Sequence, residues 1–144
     1  MATLVSNRLK RDLLDGAANL DAAVVKVLLT KAAAVTDPDL DFVSDVLATS
    51  VDELTDGSYV RKTLASQTVS LDDTNDRGLF DADDITWTAL AGGETVTGAL
   101  VYREVTNDAD SPWYVWYDLT DTATNGLDFV LQWATAGLAE VVQG

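Results

Sequence analysis

The sequence predicts a mainly β protein, a β-sandwich or jelly-roll-like domain carrying a short N-terminal helix and one further short helix. Three observations lead there. From Tyr59 onward, apolar and polar residues alternate with the period of two that belongs to strands. Turn chemistry punctuates the chain at short intervals, at Asp56-Gly57, Gly92-Gly93, Asn107 to Pro112 and Asn125-Gly126. The 144 residues, 47% of them hydrophobic, are enough to build one core without disulfides or metals. No internal repeat or linker interrupts them, so residues 1–144 read as a single domain.

In chain order, Ser6 is placed to cap a helix whose Leu9, Leu13 and Leu14 fall on one face. Gly16 stands where a left-handed residue would close it. Lys10 and Arg11 lie in its second half, where a cation favours the helix dipole. Val24 to Thr30 is apolar on both faces and reads as a buried strand. A second helix is expected with Asp37 as cap, Pro38 at its first position and Leu40, Val43 and Leu47 in a stripe. Asp52 to Ser58 is an exposed turn, and Tyr59 to Leu71 alternates loosely. Ile85, Trp87 and Ala89 point one way and Thr86 and Thr88 the other, a strand with one wet face. Gly92-Gly93 is expected to turn a hairpin into Thr95 to Val105. Strands at Trp113 to Leu119 and Leu127 to Ala134 and a Gly137-broken tail ending in Leu138 to Val142 complete the chain.

Charge narrows the function. Twenty-four acidic residues against nine basic ones leave a net charge of −15, which opposes direct binding to nucleic acid and to anionic membranes. Aspartate far outnumbers glutamate, and Lys10, Lys26, Lys31 and Lys62 are the only lysines. Such a surface either keeps the protein soluble or adapts it to high salt, where self-repulsion is screened. No apolar run reaches the roughly 20 residues that span a bilayer. Met1 to Lys10 lacks the basic-then-apolar order of a secretory signal. The expectation is a soluble protein made inside a cell.

Histidine and cysteine are absent, which removes the commonest general base, the thiol nucleophile and the soft metal ligands. No nucleophile elbow, phosphate loop or dinucleotide fingerprint occurs, so neither catalysis nor a cofactor is expected. The segment Leu71 to Asp84 is dense in aspartate. It can be laid on the EF-hand template with Asp73, Asn75, Gly78 and Asp84 at the first, third, sixth and twelfth positions. Arg77 then occupies the fifth, where an oxygen ligand belongs, so a solvated turn is the favoured reading and calcium the alternative. Trp113-Tyr114-Val115-Trp116-Tyr117 puts aromatics on both faces of one strand, Trp113, Val115 and Tyr117 on one and Tyr114 and Trp116 on the other. One face is core. The other is buried under a further element, forms a subunit interface, or stacks a sugar. Trp113, Tyr114, Trp116 and Tyr117 are therefore the interface candidates.

The run Gly78-Leu79-Phe80-Asp81-Ala82-Asp83-Asp84-Ile85-Thr86-Trp87 is followed by Ala99 to Tyr102, by Ser111-Pro112 and by the apolar strand Trp113 to Tyr117. It is preceded by the Val25, Val27, Leu29 strand and by Phe42, Ser44 and Asp45. In this order the segments resemble small virion structural proteins of tailed double-stranded-DNA viruses. The acidic, lysine-poor composition looks like that of a haloarchaeal tailed virus. The resemblance implies a β-rich, non-enzymatic subunit located in the virion and made in the host cytoplasm. A capsid decoration or vertex-turret subunit is expected first, with a tail or baseplate component or a carbohydrate-binding host-attachment module as alternatives. Its partners would be copies of itself, in a trimer or pentamer, and the major capsid or a neighbouring virion protein.

Overall fold

The computed structural model describes residues 3–135 and 137–142. The described residues form eleven strands and two short helices, and every strand pairing is antiparallel. The mainly β prediction holds.

The central sheet is built on three strands whose sequences are apolar on both faces: β2 (Val25–Lys31), β8 (Thr95–Arg103) and β9 (Trp113–Ala123). Such strands must be covered on both sides. Around them run β1 (Thr3–Val5) against β9, and β3 (Asp52–Glu53) and β4 (Lys62–Thr63), which share the outer edge of β2. One face of the sheet presents Val25, Val27, Leu29, Val96, Ala99, Val101 and Tyr117. It packs on Phe80, Ile85, Trp87 and Leu131 from two smaller sheets, and on Leu138 and Leu9. Those smaller sheets are β5 (Thr68–Asp72), β6 (Arg77–Asp81) and β11 (Ala139–Val142), in the order β11-β6-β5, and the pair β7 (Ile85–Trp87) with β10 (Phe129–Leu131). The packing is sandwich-like, with the second layer in two pieces. The opposite face, carrying Leu28, Leu100, Tyr102, Trp113 and Trp116, is closed by Val35, Val43, Val46 and Val51 from the segment around α2 (Val43–Thr49).

The helix α1 (Asn7–Leu14) starts and stops where its caps place it. The Ser6 hydroxyl accepts from Leu9 N–H, and Gly16 takes the left-handed conformation at φ 77°. The face it buries differs from expectation. Leu9 and Asp12 are buried, whereas Leu13 is 40% and Leu14 91% exposed. The Asp12 carboxylate can face inward because Arg8 and Arg11 donate to it at 3.2 and 2.6 Å and the Tyr114 hydroxyl at 3.2 Å.

The helix α2 begins later than Asp37-Pro38 suggests. Asp37 instead closes a local turn by accepting from Asp39 N–H at 2.9 Å, and Phe42 becomes the N-cap, its N–H held by the Asp45 carboxylate. Two further elements depart from the sequence reading. The strand at Ile85 stops at Trp87, because Ala89 is left-handed at φ 51°. Its partner is β10 in place of β8, so Gly92-Gly93 joins two different sheets and turns no hairpin.

Candidate interaction surface

The aromatic band of β9 lies inside the protein. A β-bulge sits where Val101 faces Val115 and Tyr102 faces Trp113, leaving Tyr114 as the extra residue. The insertion reverses the parity of everything before it. Trp113 therefore joins Trp116 on the α2 side, while Tyr114, Val115 and Tyr117 face the smaller sheets. Both carbonyls at the bulge are satisfied by Ser6: its hydroxyl donates to Trp113 O at 2.8 Å and its N–H to Tyr114 O at 2.9 Å.

Every polar tip of the band is also taken up within the chain. The Trp113 indole donates to Leu40 O at 2.5 Å and the Trp116 indole to Thr30 Oγ1 at 3.2 Å. The Tyr114 hydroxyl donates to Asp12 and that of Tyr117 to Leu138 O. Burial pushes both tyrosine hydroxyls above their ordinary pKa. Trp113, Tyr114, Trp116 and Tyr117 are each 5% exposed or less, so none is free for a second subunit or for a sugar ring. The expectation of an aromatic interface on β9 is corrected to a two-faced core strand.

The aspartate-rich segment does not wrap around one point. Asp73 to Asp76 form the tip of the β5–β6 hairpin, with Asp76 left-handed at φ 52°. Asp84 lies past the far end of β6, where its carboxylate accepts from Trp133 N–H at 2.9 Å. A five-residue strand rising about 3.4 Å per residue stands between Asp73 and Asp84. Asn75 turns its amide to Asp72 at 2.8 Å. Arg77, the residue that spoils the calcium template, clamps Asp72 at 2.8 Å and Glu140 of β11 at 2.7 Å. The Asn75 amide, followed by Arg77, holds the Asp72 carboxyl below its usual pKa range. Among the described residues no three carboxylates converge as metal ligands.

Two further polar clusters fasten loops. Arg61 donates to Glu53 at 2.6 and 2.7 Å, to Asp108 at 2.5 and 2.8 Å and to the Tyr102 hydroxyl at 3.2 Å. The same Glu53 accepts from the Tyr59 hydroxyl, which burial and the Glu53 charge push well above its ordinary pKa. Glu94 accepts from Lys31, from Thr55 N–H and hydroxyl and from Asp56 N–H. The Lys31 ammonium is the largest cause of its pKa, which falls to about 2. The strong donors in both clusters meet carboxylates of the same chain, an arrangement that ties the 53–61 segment to the central sheet.

What the fold leaves uncovered is the distal half of the β11-β6-β5 sheet. Val69, Phe80 and Ala139 share one row of the face that bears on the core, and Leu71, Gly78 and Val141 share the next row outward. The first row is anchored by buried Phe80. The second runs past the edge of the core, so Leu71 is 82% and Val141 63% exposed, with Val69 at 58%. Gly78, between Leu71 and Val141, has open space where a side chain would stand. The row is thus a notch with apolar walls and a backbone floor. Among the described residues, nothing pairs with the outer edge of either outer strand of this sheet. Sequence reasoning missed this surface. Val69 and Leu71 lie in a stretch that only loosely alternates, and edge position depends on a pairing with β6 that no local pattern shows.

Comparison of the chain with protein-family models, with curated proteins and with solved structures gives no match.

Proposed function

We propose that this chain is a non-enzymatic structural subunit of a tailed-virus particle, a capsid decoration or vertex-turret protein that assembles symmetrically with copies of itself against the shell. The observation that carries the reading is the ordered set of segments resembling small virion proteins, above all Gly78 to Trp87. That run leads from the uncovered three-stranded sheet, through β6, into the buried anchors Ile85 and Trp87 of β7. The surface chemistry supports it further. An apolar row on a sheet with two free edges suits a subunit that docks, and a charge of −15 suits one that stays dispersed until salt or a partner brings it together.

A tail or baseplate position would use the same surface. The attachment-module reading loses its stacking residues, because Trp113, Tyr114 and Trp116 are core. Mass spectrometry of separated heads and tails, with immuno-gold labelling of intact particles, tests the proposal. The expected result is many copies per particle, concentrated in the head fraction. A chain found only in infected-cell lysate and never in purified particles overturns it.

A further inference from the structure

From the free edge of the three-stranded sheet we infer that β5 pairs antiparallel with β5 of a second copy about a two-fold axis through Ser70, making one six-stranded sheet across two subunits. The inference rests on the proposed self-assembly and names its surface.

The first argument is the edge itself. Among the described residues β5 bonds to β6 on one side only, and four of its five residues are exposed. Exposed edges are commonly guarded by lysine, proline or a bulge. β5 reads Thr68-Val69-Ser70-Leu71-Asp72, and its register with β6 is continuous, so none of the three guards is present.

Electrostatics then limits where two copies can meet. Copies carrying −15 each approach only where carboxylates are sparse or neutralised. The one charge in β5 is Asp72, and Arg77 is bound to it. An antiparallel pairing centred on Ser70 places the two Asp72 residues four positions apart, about 13 Å along the strands, which exceeds the Debye length of ~10 Å at 0.1 M salt.

Register supplies the remaining argument. With Ser70 opposite Ser70, Val69 of each copy stands opposite Leu71 of the other, and Thr68 opposite Asp72. Val69 and Leu71 project from the same face, so the apolar row of one subunit continues into the next. A slip by one residue sets Leu71 opposite Ser70, and centring on Leu71 sets Val69 opposite Asp73. Centring on Ser70 pairs all five residues of the strand, whereas centring on Val69 sets Asp72 opposite Ser66, left-handed at φ 55° and outside β5; the full-length register is therefore the isologous one about Ser70. The alternative of β5 against β11 of a neighbour brings Glu140 onto the polar face that Ser70 and Asp72 share, adding a second carboxylate there.

The chain has no cysteine, so one introduced thiol reports alone. Directly opposed residues of antiparallel strands have Cα atoms about 4.5–5.5 Å apart, within disulfide reach. Ser70→Cys under mild oxidation in molar NaCl should cross-link into a covalent dimer. Thr74→Cys, at the exposed hairpin tip, should not. Adding Leu71→Asp, at a position too exposed to disturb folding, should slow the Ser70→Cys cross-link at least about tenfold, the change 1.4 kcal/mol produces. A mass above the monomer with no faster cross-linking at position 70 than at 74 overturns the two-fold pairing and leaves self-assembly standing. A monomer in every condition, without cross-link, overturns both.

Discussion

Ser6 joins the helix, the bulge and the core strand, and replacing it with alanine tests whether that junction holds the fold as described. The residue is fully buried. Its hydroxyl accepts from Leu9 N–H at 3.0 Å and donates to Trp113 O at 2.8 Å, while its backbone N–H, unaffected by the change, holds Tyr114 O. Alanine removes the helix cap, a loss of about 1 kcal/mol. It also leaves the Trp113 carbonyl short of a donor away from water, a cost of about 1–3 kcal/mol. Together these come to about 3 kcal/mol, or a fall in Tm of about 10 °C for a domain of this size. The assay is thermal unfolding followed by circular dichroism, with urea titration as a second probe. Ser6→Thr, which keeps the hydroxyl, should lose less than half as much. A Ser6→Ala protein melting within about 2 °C of the parent would refute the junction, since the cap alone is worth more than that.

Two further outcomes follow from the same packing. A Cβ built at Gly98 lies 2.5 Å from the Trp116 indole nitrogen and 2.7 Å from Tyr117 O, so Gly98→Ala should cost about 2 kcal/mol or more through overpacking, read from the urea midpoint. Glu94→Gln should destabilise at neutral pH. The Glu94 pKa falls from an ordinary 4.5 to about 2 in the folded state, so its stabilisation is complete above pH 4.5 and is lost as pH drops toward 2. The stability gap between parent and variant should therefore close over that interval. A gap that stays constant from pH 6 to about 2.5 would contradict the Lys31–Glu94 assignment.

The elements that sequence reasoning placed well are those whose signal is local. Ser6 and Gly16 bracket α1 because caps act within one turn, and β2 shows because burial on two faces leaves an unbroken apolar run in the residues themselves. What escaped depends on partners far along the chain. The parity of Trp113 is set by a bulge opposite Tyr102, and an inserted residue leaves no mark in the alternation. Leu13 and Leu14 fit the inward stripe of a helix, yet Asp12 takes the inward place once Tyr114 and two arginines supply its donors. The pairing of β7 with β10 joins segments more than forty residues apart with two central strands between them in sequence. For the surface, residue type misled: tryptophan and tyrosine suggested an interface, whereas the exposed patch is Val69, Leu71 and Val141, made apolar by plain aliphatic residues on strands that only the topology reveals as edges.

The proposed role turns on self-assembly through a surface outside the aromatic core. Sedimentation equilibrium of the unmodified chain at about 0.1 M and about 2 M NaCl tests it most directly, because screening shortens from ~10 Å to below ~3 Å between them. The expected mass rises above the 15.4 kDa monomer as salt increases. A mass that stays at 15.4 kDa at both salts and at high protein concentration contradicts it.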